Sequence, residues 1–511
     1  MHDMGPRTAV TAVPGPVRPP PTTAHVPVVA AAVAVTTLLL LTAGGYGYHR
    51  DELYFRVLEP AWGYVDQPPL MPFLVRTLSG VVDAPWAVRI PSALAAGVSV
   101  VLAAHLTREL GGGRSAQAWS GWMLASAPAT LVLGHLGATA AIDLAVWLGI
   151  ALCAVRALLR PAPAWWLAAG AVAGLGTWNK WLLAGLLVSG LAGLLAVGPR
   201  RELRSPWLVG GVVVAVVIAA PNLAHQATHG WPQLAMGAAL RADHAAEVRP
   251  LVVPFLGVLL GPPLVPVWVA GWWALWRRPA WRPVRFVAVA FPVLVVLTVL
   301  GGAQLYYPTG LLAVLLAAGC VPLAELMART RERWRPHVAG TVAVNGVVAA
   351  VVALPLLPVD ALVRTPVPAL NPGVGDQLGW PRYAAQVGTV VGTVVGTPEG
   401  DDERAGLVVV ASTYGLAGAL DRFGPQHGVD DVVSGHNHLG TAGPPEGEPA
   451  VVVVVGDRLG AVAHHFASCH VVARLDNGLG VATEEQGDPV AVCRDPLTGW
   501  DAVWSDLRYL G

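Results

Sequence analysis

Apolar runs long enough to cross a bilayer recur through the first two-thirds of the 511-residue chain. A hydrocarbon core of about 30 Å needs roughly 20 apolar residues in a helix. In lipid, every backbone N–H and C=O must be satisfied within the spanning segment itself. These runs therefore restrict that part of the chain to a bundle of transmembrane helices. The charged fraction of 13% agrees, being about half that of an average soluble protein. Spans are expected at about 26–45, 86–106, 116–133, 139–158, 164–179, 181–198, 207–224, 251–275, 285–302, 306–327 and 337–357, making about eleven.

Charge orients the bundle. With the N-terminus inside, the cytoplasmic segments hold 17 basic residues and the outer loops 7 (Arg50, Arg56, Arg76, Arg89, Lys180, Arg241 and Arg249). Positive residues favour the cytoplasmic side, so an odd number of spans leaves the C-terminal region outside. Net charge is zero, which gives no argument for nucleic acid as a partner.

Four regions follow, the second holding two long outer loops. Residues 1–25, rich in Pro and Thr, read as a disordered cytoplasmic tail, and 26–357 as the transmembrane domain. Residues 48–85 form a long first outer loop whose Pro68-Pro69 and Pro72 break it into short interfacial pieces. Residues about 225–250 form a second outer loop. A Pro-rich linker, 358–380, leads to a small extracytoplasmic α/β domain, 381–511, with buried strands at Leu407–Ala411 and Ala450–Val455. Cys153 and Cys320 lie in apolar spans and read as packing residues. Cys469 and Cys493 lie in the tail and can pair if that tail is outside the cytosol.

Polar residues choose one side of this bundle. Asp51, Glu52, Asp66, Arg89, Asp143, Lys180, Asn222, His225, Gln226 and Tyr306 come from separate segments yet all fall at or near outer helix ends. Ionisable groups in membrane segments are costly and mark function or pairing. Their shared side points to an active site opening outward.

The first loop reads Asp51-Glu52-Leu53-Tyr54 and then Gly63-Tyr64-Val65-Asp66-Gln67-Pro68-Pro69-Leu70. It resembles family 39 of the GT-C glycosyltransferases, which contains protein O-mannosyltransferases, lipid A aminoarabinose transferases and Rgt-type sugar transferases. Gly137–Asp143, Gly174–Lys180, Pro221-Asn222 through His229-Gly230-Trp231-Pro232, and Tyr306-Tyr307-Pro308 are similar to later motifs of the family in the same order. In the tail, Ser412-Thr413-Tyr414-Gly415 and Ser434-Gly435-His436-Asn437 are similar to its bacterial branch. The chain departs from the lipid A transferases at Gln67, where they carry a lysine.

The resemblance implies a GT-C fold in a bacterial plasma membrane and a polyprenyl-phosphate-linked sugar as donor. It implies a cell-envelope glycan, lipid or protein as acceptor. An inverting transfer needs a base for the acceptor hydroxyl. Asp51 is expected to be that base, with Glu52 beside it in the catalytic pair or orienting a partner or metal. Cations stabilise the phosphate leaving group, and Arg50, Arg89 and Lys180 are the expected donor-phosphate ligands. Asp66, Asp143, Asn222, His225 and Tyr306 are expected to bind acceptor or substrate. No metal site is assigned, and a divalent metal stays open. His436, His438, His464 and His465 read as loop residues. The alternative function is a polytopic lipid or sugar transporter or flippase.

Overall fold

A computed structural model describes residues 19–302, 304–395, 407–445, 447 and 449–511. Most of the expected tail, with Arg7 and Arg18, lies outside the described residues. Each expected span is helical over most of its length. By length and composition, six described helices can cross a membrane, or seven if the bent pair Pro232–Leu259 and Pro262–Arg277 is one span. Shorter apolar helices, among them Trp165–Gly176, Leu183–Val197 and Phe286–Gly301, fill the bundle between them.

Two expected spans are broken. Helix Arg114–Ala125 stops before Pro128 opens helix Pro128–His135. The pair Pro232–Leu259 and Pro262–Arg277 bends by 77°. Each break frees carbonyls that lipid cannot satisfy. Asn345, buried on helix Arg335–Ala353, donates through Nδ2 to Ser126 O at 3.0 Å and Leu260 O at 3.1 Å. One amide therefore serves both breaks. Elsewhere small residues let backbones touch. At Gly271 and Gly319, an added Cβ would strike the facing helix, Thr309–Arg329 or Val265–Arg277. At one end of the bundle, buried Glu109 accepts from Arg156 Nε at 3.2 Å and Arg160 Nε at 2.8 Å, tying helix Ile90–Glu109 to Thr139–Leu159.

The expected second outer loop is instead largely helical. Helix Pro206–Thr228 runs to the His229-Gly230-Trp231 turn, and helix Pro232–Leu259 starts directly after it. Gly230 and Trp231 take positive φ, and Gln226 O accepts from Trp231 N at 2.7 Å. Proline at the first helical position then needs no hydrogen-bond partner for its nitrogen. The motif is a hinge between two helices, which puts Arg241 on a helix wall.

The tail carries a five-stranded sheet in the order β2-β1-β3-β5-β4, with β1 Leu407–Ala411, β2 Val432–Val433, β3 Val451–Val455, β4 Phe466–Arg474 and β5 Pro489–Pro496. β1 pairs in parallel with β2 and β3, while β5 is antiparallel to β3 and β4. The valine run of β3 is buried throughout, as expected of a strand covered on both faces. Val451, Val453 and Val455 face one core; Val452 and Val454 face another, against helix Trp500–Leu507. Cys469 and Cys493 are bonded across β4 and β5.

The first of these cores is shared. Tyr48, Leu53, Tyr54, Phe55, Tyr64 and Met71 of the first loop pack in one cluster with Trp380, Tyr383, Leu416, Leu420 and the sheet. Helix Tyr414–Phe423 lies directly on helix Arg50–Val57. A Cβ on Gly415 would meet Arg50, and one on Gly418 would meet the Leu53 backbone. Arg56 reaches Asp421 at 3.1 Å, and Arg422 reaches Asp83 at 2.7 Å.

Below this core lies a wholly buried ion pair. Arg89 Nε and Nη2 donate to the two carboxylate oxygens of Glu52 at 2.7 and 2.9 Å, and both side chains have zero exposure. Arg89 also donates to Ala43 O, Gly47 O and Gln377 Oε1 at 2.8, 2.7 and 3.1 Å. Glu52 accepts from His49 N at 2.8 Å and Gly137 N at 2.7 Å. Losing one partner of such a pair strands a charge and costs about 3–5 kcal/mol. Arg89→Leu or Glu52→Gln is therefore expected to lower the thermal unfolding midpoint in detergent by several degrees; an unshifted midpoint would contradict this role. The disulfide, whose cysteines are separated by 24 in sequence, is expected to contribute about 3 kcal/mol by closing that loop. Cys469→Ser should then unfold at the temperature of reduced wild type, and below that of the oxidised protein.

Candidate active site

Helix Arg50–Val57 begins with a capping box. His49 Nδ1 accepts from Asp51 N at 3.2 Å, while Glu52 reaches back to His49 N. Carboxylates in a first turn are also favoured by the helix dipole. Successive helical residues point about 100° apart. The adjacent acids therefore separate: Glu52 enters the protein, and Asp51 faces a cavity of about 490 Å³.

That cavity lies where first loop, helix ends and tail meet. Its walls include Asp51, Tyr54, Asp66 and Gln67 from the loop, Lys180 and Trp181 from a helix connection, and Tyr306 and Tyr307. Arg241 closes one side, and Tyr414 and Asn437 come from the tail. Tyr414 donates its hydroxyl to Asp51 Oδ1 at 3.0 Å. Burial, and then the Asp51 carboxylate, raise the Tyr414 hydroxyl well above its ordinary value, so it remains the donor. Lys180 Nζ donates to Tyr306 OH at 2.7 Å and stands 4.9 and 5.2 Å from the Tyr306 and Tyr307 ring centroids. Its ammonium is held by aromatic faces and forms no ion pair among the described residues, which leaves its charge available to an anion.

Asp66 accepts from Tyr54 OH at 3.2 Å and Gln67 Nε2 at 3.4 Å. Burial pushes its carboxyl up to about 7, with the Asp51 charge adding to the rise. Near neutral pH it is thus part acid and part carboxylate, able to donate as well as accept. His436 is held neutral by burial, down to about 4. Its Nδ1 accepts from Tyr414 N at 3.1 Å and so fixes the start of helix Tyr414–Phe423.

Of the ten residues expected at the site, Asp51, Asp66, Lys180 and Tyr306 line this cavity. Asp143 borders a small adjoining one with Tyr306 and Tyr307, buried and with Oδ1 lacking a hydrogen-bond partner among the described residues. The other five are placed differently. Glu52 and Arg89 lie outside the cavity lining, their hydrogen-bonding arms spent on each other and on neighbouring backbone and Gln377 in a solvent-free setting. Arg50 turns to the tail, paired with Glu484 and lying 4.7 Å over the Tyr414 ring. Asn222 is buried behind the wall, accepting from Trp181 Nε1 at 3.1 Å and donating to Trp62 O at 3.2 Å. His225 stacks on His229 at 4.1 Å beside Gly63, outside the cavity lining.

Three contributors were not singled out from sequence. Arg241 makes no ion pair among the described residues and faces the cavity. The expected loop hid it; only its helical position brings it there. Tyr414 and Asn437 lie within tail motifs that were noticed, but their distance of more than 350 residues from Asp51 gave no sign of contact.

The chain was compared with known proteins. Residues 66–225 match the family model described as dolichyl-phosphate-mannose-protein mannosyltransferase. No curated protein matches the sequence. Among solved structures, ArnT from Cupriavidus metallidurans bound to undecaprenyl phosphate aligns over 91% of this chain and 97% of its own, at 16% identity and TM-score 0.56. The apo form of the same protein aligns over the same shares at 18% identity and TM-score 0.56. The likeness runs through both the helical bundle and the tail and shows a common fold. Within the bundle, residues 66–225 are similar to that mannosyltransferase family model, and the chain as a whole shares its fold with the solved ArnT structures.

Proposed function

We propose that the protein moves a sugar from a polyprenyl-phosphate donor to an acceptor hydroxyl of the cell envelope, on the outer face of the plasma membrane, with inversion at the anomeric carbon. One observation carries this reading: a single cavity holds the carboxyl groups of Asp51 and Asp66 with two cations, Lys180 and Arg241, that form no ion pair among the described residues. In a single displacement the acceptor oxygen attacks the anomeric carbon as the phosphate leaves from the opposite face. The base and the cations then serve opposite ends of that path.

Asp51 takes the acceptor proton. Tyr414 occupies Oδ1, which leaves Oδ2 for the incoming hydroxyl. Lys180 and Arg241 meet the charge that develops on the departing phosphate, with Tyr306 holding the ammonium in place. Arg241 here takes the task first expected of Arg89. Asp66, as part acid, donates to an oxygen of the bound sugar or acceptor.

A lipid donor is supported by a second feature. An apolar groove of about 470 Å³, lined by Ile150, Trp166, Leu187, Leu191 and Phe286 among others, runs between the helices. A neighbouring groove of about 270 Å³ shares Trp166 and Leu187 with it and reaches Trp181, which also lines the polar cavity. An isoprenoid chain in these grooves would bring its phosphate to Lys180. The same features disfavour the transporter alternative, because the grooves beyond the cavity carry no ionisable lining.

The first test is transfer from a panel of radiolabelled polyprenyl-phosphate sugars in vesicles, wild type beside Asp51→Asn. Loss of a general base is expected to lower turnover by about 10²–10⁴-fold, with the unfolding midpoint unchanged. Equal turnover would remove Asp51 from the mechanism. Lys180→Ala and Arg241→Ala are each expected to lower turnover by about 10²-fold, whereas Arg50→Ala should act mainly on stability. For Asp66, the raised carboxyl means that the fold favours the neutral form. The stability this gives is full below the ordinary value of 3.8 and is lost as pH rises through about 7. Melting curves across that interval should flatten in Asp66→Asn relative to wild type.

A further inference from the structure

The tail holds a second cluster, remote from the cavity walls. His464 and His465 form the short turn between helix Leu459–Val462 and β4. Asp506 stands in the last turn of helix Trp500–Leu507 and faces them. Its Oδ2 lies 2.9 Å from His465 Nε2 and 3.5 Å from His464 Nε2. We propose that His464, His465 and Asp506 bind a divalent transition-metal ion, with zinc the best fit, and that this ion fastens the last helix to the sheet.

The donor set and its spacing both argue for this. Two imidazoles and one carboxylate suit zinc better than calcium or magnesium, which take oxygen ligands. All three ligand atoms lie within 4.8 Å of one another. In a tetrahedral zinc site with bonds of about 2.0–2.1 Å, neighbouring ligands stand about 3.3 Å apart. The two observed His–Asp separations fall on either side of that value. Among the described residues no other group of His, Cys, Asp and Glu comes together in this way.

The surroundings orient the ligands. His465 Nδ1 is 2.7 Å from Thr498 Oγ1. With an ion on Nε2, that hydroxyl would accept from Nδ1–H and orient the ring, as the outer partners of metal-bound histidines usually do. The His465 side chain is 8% exposed, but those of His464 and Asp506 are 63% and 47% exposed. The ion would therefore enter from solvent and keep a water as its fourth ligand. Arg458 Nη2 donates to the Asp506 carbonyl at 2.6 Å and steadies the same turn of helix.

The position gives the ion a consequence. The chain leaving helix Trp500–Leu507 reaches Tyr509, whose hydroxyl donates to Ser412 O at 2.9 Å and whose ring stacks on His436 at 4.2 Å. His436 in turn holds the start of the helix that carries Tyr414. Fixing Asp506 thus stiffens the tail side of the cavity. The inference rests on the tail geometry alone and is independent of the sugar-transfer reading.

The test uses the full chain in detergent, stripped with chelator and dialysed, then given zinc alone or cobalt alone. Wild type is expected to retain one more zinc per chain than His464→Ala or Asp506→Asn, measured by elemental analysis after equilibrium dialysis. Thr498→Val should weaken that zinc about tenfold. Cobalt should give the visible absorption of a tetrahedral site in wild type and lose it in His464→Ala. The His464 side chain is exposed, so this variant is expected to fold, and an unchanged melting curve without metal verifies that it has. Equal zinc content in wild type and His464→Ala would overturn the proposal and leave an ordinary His–Asp hydrogen-bonded pair.

Discussion

The candidate-site side of this protein depends on one desolvated ion pair. Glu52 and Arg89 have no solvent contact and no free hydrogen-bonding arm. Their bonds tie the end of the first helix, the start of the loop that carries Asp51, the turn at Gly137 and, through Gln377, the segment that leads to the tail. Burying two charges costs much solvation energy, which only bidentate geometry and further hydrogen bonds offset. Such a pair tolerates few arrangements. It therefore fixes the position of helix Arg50–Val57, and with it the direction in which Asp51 faces.

A second constraint comes from the tail. The loop helices are too short to bury their own apolar faces, and they complete a core with helix Trp380–Val395, helix Tyr414–Phe423 and the sheet. Gly415 and Gly418 let that contact become backbone-close. The tail is thus structurally part of the site and supplies Tyr414 to Asp51 and Asn437 to the wall. A disulfide across β4 and β5 stiffens the far side of the same sheet.

Electrostatics inside the cavity follow from which groups found partners elsewhere. Arg50, Arg56 and Arg89 are neutralised by Glu484, Asp83 with Asp421, and Glu52. Among the described residues Lys180 and Arg241 form no such ion pair, and both line the cavity with Asp51. A carboxylate and unpaired cations in one cavity fit the proposed displacement, which needs a base and an anion site. The arrangement arises because the structural pairs have consumed the other arginines.

The sequence by itself determined the class of fold, the helical segments, the buried valine strands and the loop that carries Asp51. Apolar length, β-branched runs and proline breaks are local signals, and local signals suffice for these. It also gathered the polar residues at one end of the bundle, four of which do line the cavity. Tertiary structure alone decided which of two adjacent acids would be free. Asp51 and Glu52 differ by one helical step of about 100°, and only the packing of Arg89 tells which direction is interior. The same holds for Arg241, hidden by a turn that reads as a loop. It holds too for Tyr414 and for Asp506 beside His464 and His465, since residues that far apart in the chain meet only through the fold.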